Sequence, residues 1–244
     1  MAINWFKYSS PQTFYPLAGT MVPWFMVPAA VLGMAGLYIG FFVAPADFQQ
    51  GEAYRIIFIH VPAAWMSMFI YVVMAFWAGI GLAFNTRLSS MMAHALAPTG
   101  ALMTFIALWT GSLWGKPTWG TWWVWDARLT SELILLFLYI GYMSLAAAID
   151  DPRRADKASA VLALVGVVNI PIIYFSVQWW NTLHQGASVS ITRAPSMAST
   201  MLIGMMVMVF AFWAYSIAAV LMRVRIVILE RERSSAWVRE LGHR

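Results

Sequence analysis

Five of the chain's 14 tryptophans lie between Trp114 and Trp125. They belong to the run W-G-K-P-T-W-G-T-W-W-V-W-D-A-R, residues 114–128, which we call the tryptophan segment. Scattered tryptophans at a membrane surface usually act only as anchors. Five indoles in a run that glycine and proline interrupt indicate a binding surface instead, because indole faces pack on flat apolar ligands and glycine permits close approach to the backbone.

Two of the four histidines, His60 and His184, flank the tryptophan segment in sequence, each at the end of a long apolar run. Imidazole is a common ligand of haem iron, and guanidinium groups bind carboxylates in a bidentate manner. Haem is a flat apolar ring with an iron and two carboxylates. These residue types therefore predict a haem site, with Arg55 and Arg128 as carboxylate partners and Lys116 behind them.

Each of these residues also has a structural interpretation. A single histidine at a membrane surface is more often structural than a ligand, and the residue types alone support both roles of the pair about equally. Asp126 is expected to order its loop as well as serve the site. Glu132 is interpreted as structural, because a negative charge is favoured in the first turn of a helix.

The sequence assigns no catalytic residue and predicts two axial ligands of haem iron, His60 and His184. The full set of predicted cofactor-binding residues is His60, His184, Trp114, Gly115, Trp119, Gly120, Trp122, Trp123, Trp125, Asp126, Arg55 and Arg128.

The composition places these residues in a membrane protein. Hydrophobic residues make up 61% of the chain and charged residues only 10%, whereas about 25% of a soluble protein is charged. Cysteine is absent, which excludes disulfides, thiolate metal sites and the C-x-x-C-H attachment of c-type haem. The sequence contains no G-x-x-x-x-G-K-[ST] run, so we expect no ATPase site in this chain.

Six apolar runs reach the roughly 20 residues that a membrane-spanning helix needs. We therefore predict an all-α integral membrane protein with a single domain over residues 1–244. Pro117 argues against a regular helix through the tryptophan segment, which is expected to be a loop between the third and fourth helices. The predicted spans are about 19–43, 61–84, 93–113, 129–149, 159–179 and 200–222, followed by a basic tail at 223–244.

An even number of spans places both termini on one side of the membrane, and the distribution of charge predicts which side. Eleven lysines and arginines fall on the terminal side and four on the other. Because positive residues are concentrated on the cytoplasmic side, both termini are predicted to be cytoplasmic and the tryptophan segment periplasmic. The four on the other side are Arg55, Lys116, Arg128 and Arg193.

The run W-G-x-x-x-W-G-x-W-W-x-W-D at residues 114–126 resembles the signature of the WWD haem-handling protein family. The length, the six spans and one histidine in each flanking outward segment resemble its CcmC, or haem exporter C, branch, from the system I machinery of cytochrome c maturation. The resemblance implies haem b bound transiently and non-covalently on the periplasmic side of the bacterial inner membrane. It also implies delivery to the haem chaperone CcmE, assisted by CcmD and by an ABC module of CcmA and CcmB.

Three other functions compete with that of a haem-presenting scaffold. A transmembrane haem transporter or permease subunit of an ABC complex would need a path across the spans. A haem lyase would need a reactive group near the haem edge and turnover without other subunits. A purely structural subunit would bind no cofactor, and the glycine-interrupted tryptophan cluster argues against it.

Overall fold

The computed structural model describes residues 5–186, 189 and 194–241, so Arg193 and His243 lie outside the described residues. Helices form the regular structure of the described chain. The principal helices are α1 (Pro11–Tyr38), α2 (Ile57–Phe84), α3 (Arg87–Trp119), α4 (Ala127–Ala148), α5 (Pro152–Gly166), α6 (Asn169–Trp179), α7 (Ser199–Arg231) and α8 (Ala236–Leu241). A π-helical turn, Ile39–Val43, extends α1, and a 3-10 turn, Glu52–Ile56, leads into α2.

Six of these helical segments are long and apolar enough to cross a membrane. They run over Pro11–Val43, Glu52–Phe84, Arg87–Trp119, Ala127–Ala148, Pro152–Trp179 and Ser199–Arg231. The predicted all-helical class and the six apolar spans are therefore confirmed.

The helix ends differ from the predicted ones, most of all around Pro117. The expectation that this proline breaks the helix is wrong, because α3 continues to Trp119. A proline in the last turn removes a single backbone donor, and only two helical residues follow it. The helix ends at Gly120, whose φ of 77° is left-handed and whose N–H bonds to the Lys116 carbonyl at 3.1 Å. The first six residues of the tryptophan segment are thus helical.

Other ends also extend beyond the predicted spans. Helix α2 begins at Ile57, before the predicted start at residue 61. Helix α7 continues to Arg231, which makes the first part of the predicted tail helical. The shorter predictions followed the apolar run alone, whereas helical hydrogen bonding continues through polar residues.

The fifth span is divided into α5 and α6 at Val167 and Val168. Pro171 explains the break, since it has no N–H for the carbonyl four residues earlier and its ring crowds that carbonyl. Asn169, the first residue of α6, donates from Nδ2 to the Ser131 carbonyl at 2.9 Å. This bond fixes α6, and the segment that follows it, against the beginning of α4.

The principal core lies between α2, α3, α4 and α5, and α1 packs along α7. Tyr71 and Tyr139 are completely buried and meet edge to face, with ring centres 5.0 Å apart. The Tyr139 hydroxyl donates to the Ser67 carbonyl at 2.8 Å. This bond ties α4 to α2 directly beneath the site described below.

Helices α1 and α8 meet at one end of the bundle. The ring of Tyr15 near the start of α1 lies 5.9 Å from that of Trp237 in α8, and the Arg225 guanidinium is 4.5 Å from the Tyr15 ring centre. We call this the terminal end and the opposite one the distal end. The arrangement agrees with an even number of crossings, and the cytoplasmic placement of the termini stays a prediction.

Candidate functional site

A cavity at the distal end contains about 650 Å³ of space, part of it open to solvent. The beginnings of α2 and α4, the end of α3 and the segment after α6 form its walls. The lining residues are His60, Ala64, Ala107, Leu108, Gly111, Ser112, Trp114, Thr118, Trp119, Trp123, Arg128, Leu129, Glu132, His184 and Gln185.

His60 lies in the first turn of α2, and its ring orientation and tautomer follow from its contact with Thr110. Its Nδ1 is 3.1 Å from Thr110 Oγ1, and the Thr110 hydroxyl donates to the Ile106 carbonyl at 2.6 Å. The shorter bond to Ile106 takes the hydroxyl hydrogen, so the hydrogen of the 3.1 Å bond is assigned to Nδ1. The Nε2 lone pair of neutral His60 is therefore free for a ligand.

Two neighbours on α3 shape the space around the His60 ring. A Cβ atom at Gly111 would lie 3.0 Å from His60 Cε1, so glycine leaves the room that the ring occupies. Trp114 meets His60 edge to face, with ring centres 5.6 Å apart. The ring is thus held by one hydrogen bond and by close packing on α3.

His184 follows α6 and presents the same nitrogen. Its Nδ1 lies 2.8 Å from the Gln185 carbonyl, which only accepts, so Nδ1 carries the hydrogen and Nε2 is free in the neutral ring. Burial and the nearby Arg128 guanidinium both hold the pKa of His184 below its ordinary value. The imidazole is therefore neutral, and able to act as a ligand, near pH 7.

The two histidine rings lie side by side in the cavity, with centres 6.4 Å apart and planes inclined by 35°. A metal–imidazole bond is about 2 Å long, so two imidazoles on opposite sides of one metal have ring centres roughly 6 Å apart. The observed separation matches that value. The sequence placed the two histidines at one membrane face, and the fold brings them together.

Three of the five clustered tryptophans line the cavity. Trp114 donates from Nε1 to Gln50 Oε1 at 2.7 Å, and the Trp119 ring centre is 6.3 Å from that of His184. Trp123 Nε1 is buried, with no hydrogen-bond partner in the described chain. The indole N–H of Trp123 is therefore a hydrogen-bond donor without an acceptor among the described residues.

The other two tryptophans point away from the cavity. Trp122 is 53% exposed and Trp125 76% exposed, and neither belongs to the cavity lining. Trp125 meets Trp123 edge to face at 5.5 Å, and the Lys116 ammonium lies 5.9 Å from the Trp122 ring centre. The tryptophan segment thus has an inner face on the cavity and an outer face on the surface.

Gly115, Gly120 and Asp126 shape the backbone of the tryptophan segment. A Cβ atom at Gly115 would lie 3.0 Å from the Trp119 ring, and Gly120 supplies the left-handed turn that ends α3. Asp126 is the N-cap of α4, where Oδ1 accepts the Leu129 N–H at 2.8 Å. Its Oδ2 is buried without a partner in the described residues.

The two predicted arginines lie in different surroundings. Arg128 lines the cavity and donates from Nη1 to the Ile173 carbonyl at 2.6 Å. Arg55 does not line the cavity. It pairs with Glu52 and donates to the Gly40 and Ala44 carbonyls at 2.6 and 2.9 Å, which closes the end of the first span. Contact between Arg55 and a ligand stays a prediction.

A sequence model of the heme exporter protein C family matches residues 4–239 of the chain. The chain belongs to this family. Heme exporter protein C of Escherichia coli (strain K12) is 50% identical over 232 residues, which cover 95% of this chain and 93% of the relative. The protein of the same name from Haemophilus influenzae is 44% identical over 235 residues, covering 96% of both chains. That of Paracoccus denitrificans is 40% identical over 235 residues, covering 96% and 97%.

One residue of the cavity lining was predicted from the sequence to have only a structural role. Glu132 is 7% exposed, lines the cavity and lies 2.7 Å from Ser67 Oγ. A signal for it existed, because Glu132 is four residues after Arg128 and the two share a helix face. A carboxyl group inside a membrane span also indicates function on general grounds.

The two histidines suit a metal that is already coordinated by a bound ring when it enters the cavity. Two imidazole nitrogens are fewer than the four protein ligands of a structural zinc site, but two are enough for an iron already held by a porphyrin. The apolar and aromatic lining suits a flat ring, while Arg128 and the free Trp123 N–H suit carboxylate groups. The described residues of this heme exporter protein C family member therefore fit haem.

Proposed function

We propose that the distal cavity binds haem b between His60 and His184 and presents it for delivery to the haem chaperone CcmE during the biogenesis of c-type cytochromes. The name of the related proteins supports a haem-handling role for this chain. The pair of histidine rings 6.4 Å apart in one aromatic cavity carries the more specific proposal. His60 and His184 would hold the iron, and two imidazoles bound to it would suppress its reaction with oxygen.

The remaining cavity residues orient the cargo. Trp114, Trp119 and Trp123 supply flat apolar surface, and the Trp123 N–H gains an acceptor when a carboxylate lies beside it. Arg128 supplies positive charge toward the same group. Desolvated donors of this kind favour a charged acceptor, because an unpaired buried N–H costs free energy.

The outer face of the tryptophan segment is the proposed surface for transfer to CcmE. Trp122 and Trp125 are exposed at the distal end, where the chaperone would reach a bound haem edge. In this proposal the distal end faces the periplasm from the bacterial inner membrane. CcmD and the ABC module of CcmA and CcmB complete the assembly, and that module hydrolyses the ATP while this chain acts as a non-enzymatic subunit.

Absorption spectra of detergent-purified protein from haem-replete cells test the proposal. Wild type is expected to carry low-spin haem, and His60→Ala or His184→Ala to lose or change that spectrum. His94→Ala is the matched control, since His94 pairs with Asp156 and Arg231 at the terminal end. A haem-free wild type, or a spectrum that neither cavity variant alters, would refute the proposal.

Transmembrane haem transport remains the alternative function predicted from the sequence. It requires a continuous path between the two ends of the bundle. Haem uptake by proteoliposomes containing this chain alone would favour transport. Haem binding without uptake would favour presentation.

A further inference from the structure

A second cleft lies at the terminal end and contains about 880 Å³ of space, part of it open to solvent. It is formed by the end of α2, the turn at Asn85 and Thr86, and the first turns of α3 and α5. The Arg87–Glu232 ion pair joins its rim to the end of α7, which places the cleft at the terminal end of the bundle. It is therefore distinct from the distal cavity.

Three cations line this cleft: Arg87, Arg153 and Lys157. The single carboxylate in the lining, Asp156, is already engaged by the Arg231 guanidinium at 2.9 and 3.1 Å. Arg153 and Lys157 have no carboxylate within ion-pair distance in the described part of the chain. The lining thus keeps an excess of positive charge.

Two of these cations lie at the beginnings of helices. Arg87 is the first residue of α3, and Arg153 is the second residue of α5, so both lie at the positive ends of helix dipoles. Glu232 already pairs with Arg87, and the Asp151 carboxylate caps the beginning of α5. The excess positive charge of the cleft therefore comes from Arg153 and Lys157. Orientation of the chain requires basic residues on this side of the membrane, but it does not require them to converge on one cleft at two helix beginnings.

We infer that this cleft is a phosphate-binding site. Arginine and lysine are the usual partners of phosphate, and hydroxyl and amide groups of Ser90 and Asn85 add hydrogen-bonding capacity to the lining. The cleft lies where the spans Glu52–Phe84 and Pro152–Trp179 reach the terminal end of the bundle, which is the depth expected for lipid headgroups. Basic pockets between membrane helices at this depth bind anionic phospholipids. A phosphorylated soluble ligand has the same chemistry and is the second source to be tested.

The test is a titration of full-length protein in non-ionic detergent with fluorescently labelled phosphatidylglycerol, read by anisotropy. The double variant Arg153→Gln/Lys157→Gln removes the two unpaired cations. Because each basic residue near an anionic headgroup contributes roughly fivefold in affinity, we expect a loss of roughly thirtyfold. The matched control is Arg154→Gln/Arg239→Gln, which removes two exposed charges outside the cleft lining, and it should bind as wild type does.

Competition distinguishes the two sources of phosphate. Displacement of the lipid by inorganic phosphate at constant ionic strength indicates a site open to soluble phosphates. A cleft-dependent affinity that phosphate does not reduce indicates a lipid headgroup. Unchanged binding by the cleft variant, or an equal loss in the control, would overturn the inference. If the double variant does not fold, each single variant should show a roughly fivefold loss.

Discussion

Replacing Thr110 by valine removes the acceptor that determines the tautomer of His60. Valine keeps the shape of threonine but has no hydroxyl group. His60 Nδ1–H then loses its bond to Oγ1, which is 3.1 Å long in the wild type. The ring is free to rotate or to move its hydrogen to Nε2, and either change removes the lone pair that would bind iron.

The expected loss follows from the burial of that bond. A partly buried donor left without its acceptor costs about 1–2 kcal/mol, which is roughly five- to thirtyfold in affinity. Hydrogen bonds that orient a metal-binding histidine usually contribute about 10- to 100-fold. We therefore expect Thr110→Val to weaken haem binding by roughly tenfold while leaving the fold intact.

Haem titration of the purified protein, followed by absorption, measures this effect. Thr104→Val is the control, because Thr104 donates to the Gly100 carbonyl in the same helix at 2.8 Å and has no hydrogen bond to a histidine among the described residues. In a His60→Ala background, Thr110→Val should have no further effect. Equal affinities of the Thr110 and Thr104 variants, or an additional loss in the His60→Ala background, would refute the reasoning about the tautomer.

Three further outcomes are expected. Iron binds only the neutral imidazole, so ligation is lost as pH falls through the pKa of His184. Because that pKa is lowered, the low-spin spectrum should persist below about pH 6.5. Loss of the low-spin spectrum at about pH 6.5 would contradict this expectation. Trp123→Ala should deplete bound haem in the same spectra, whereas Trp122→Ala should retain it, since of these two tryptophans only Trp123 lines the cavity. Gly120→Ala should lower the melting temperature by about 2–4 °C, because φ is 77° there and the strain costs about 1 kcal/mol. Gly33→Ala, where a Cβ atom meets nothing within 4 Å, should not lower it.

Much of the distal cavity could be predicted from residue type and position. His60, His184 and the tryptophan segment were placed at one membrane face because they lie at the same ends of predicted spans. The division of the tryptophans between the inner and outer faces of the tryptophan segment could not be predicted. Trp122 and Trp123 are neighbours of the same type, and only the path of the chain after Gly120 turns one outward and the other inward.

Arg55 and Glu132 show the same limit of prediction from sequence. One was predicted to belong to the cavity and does not line it, and the other was predicted to be structural and does line it. Arg55 was grouped with the cavity by depth alone, yet its guanidinium turns to carbonyls at the end of the first span. Glu132 was interpreted through its helix position alone, yet it faces the cavity and Ser67. Sequence spacing gives the height of a side chain along the bundle, while the packing of neighbouring helices gives the direction in which it points.

The sequence by itself determined the membrane class, the six apolar spans and the family, because length, hydropathy and the W-G-x-x-x-W-G-x-W-W-x-W-D run are properties of the chain order. Only the tertiary structure decided that α3 continues through Pro117 and that the fifth span breaks before Pro171. It also decided that the rings of His60 and His184, 124 positions apart in the chain, lie 6.4 Å apart. The physical reason is that helix ends and ring contacts depend on which partners the folded chain supplies to each hydrogen bond and apolar face.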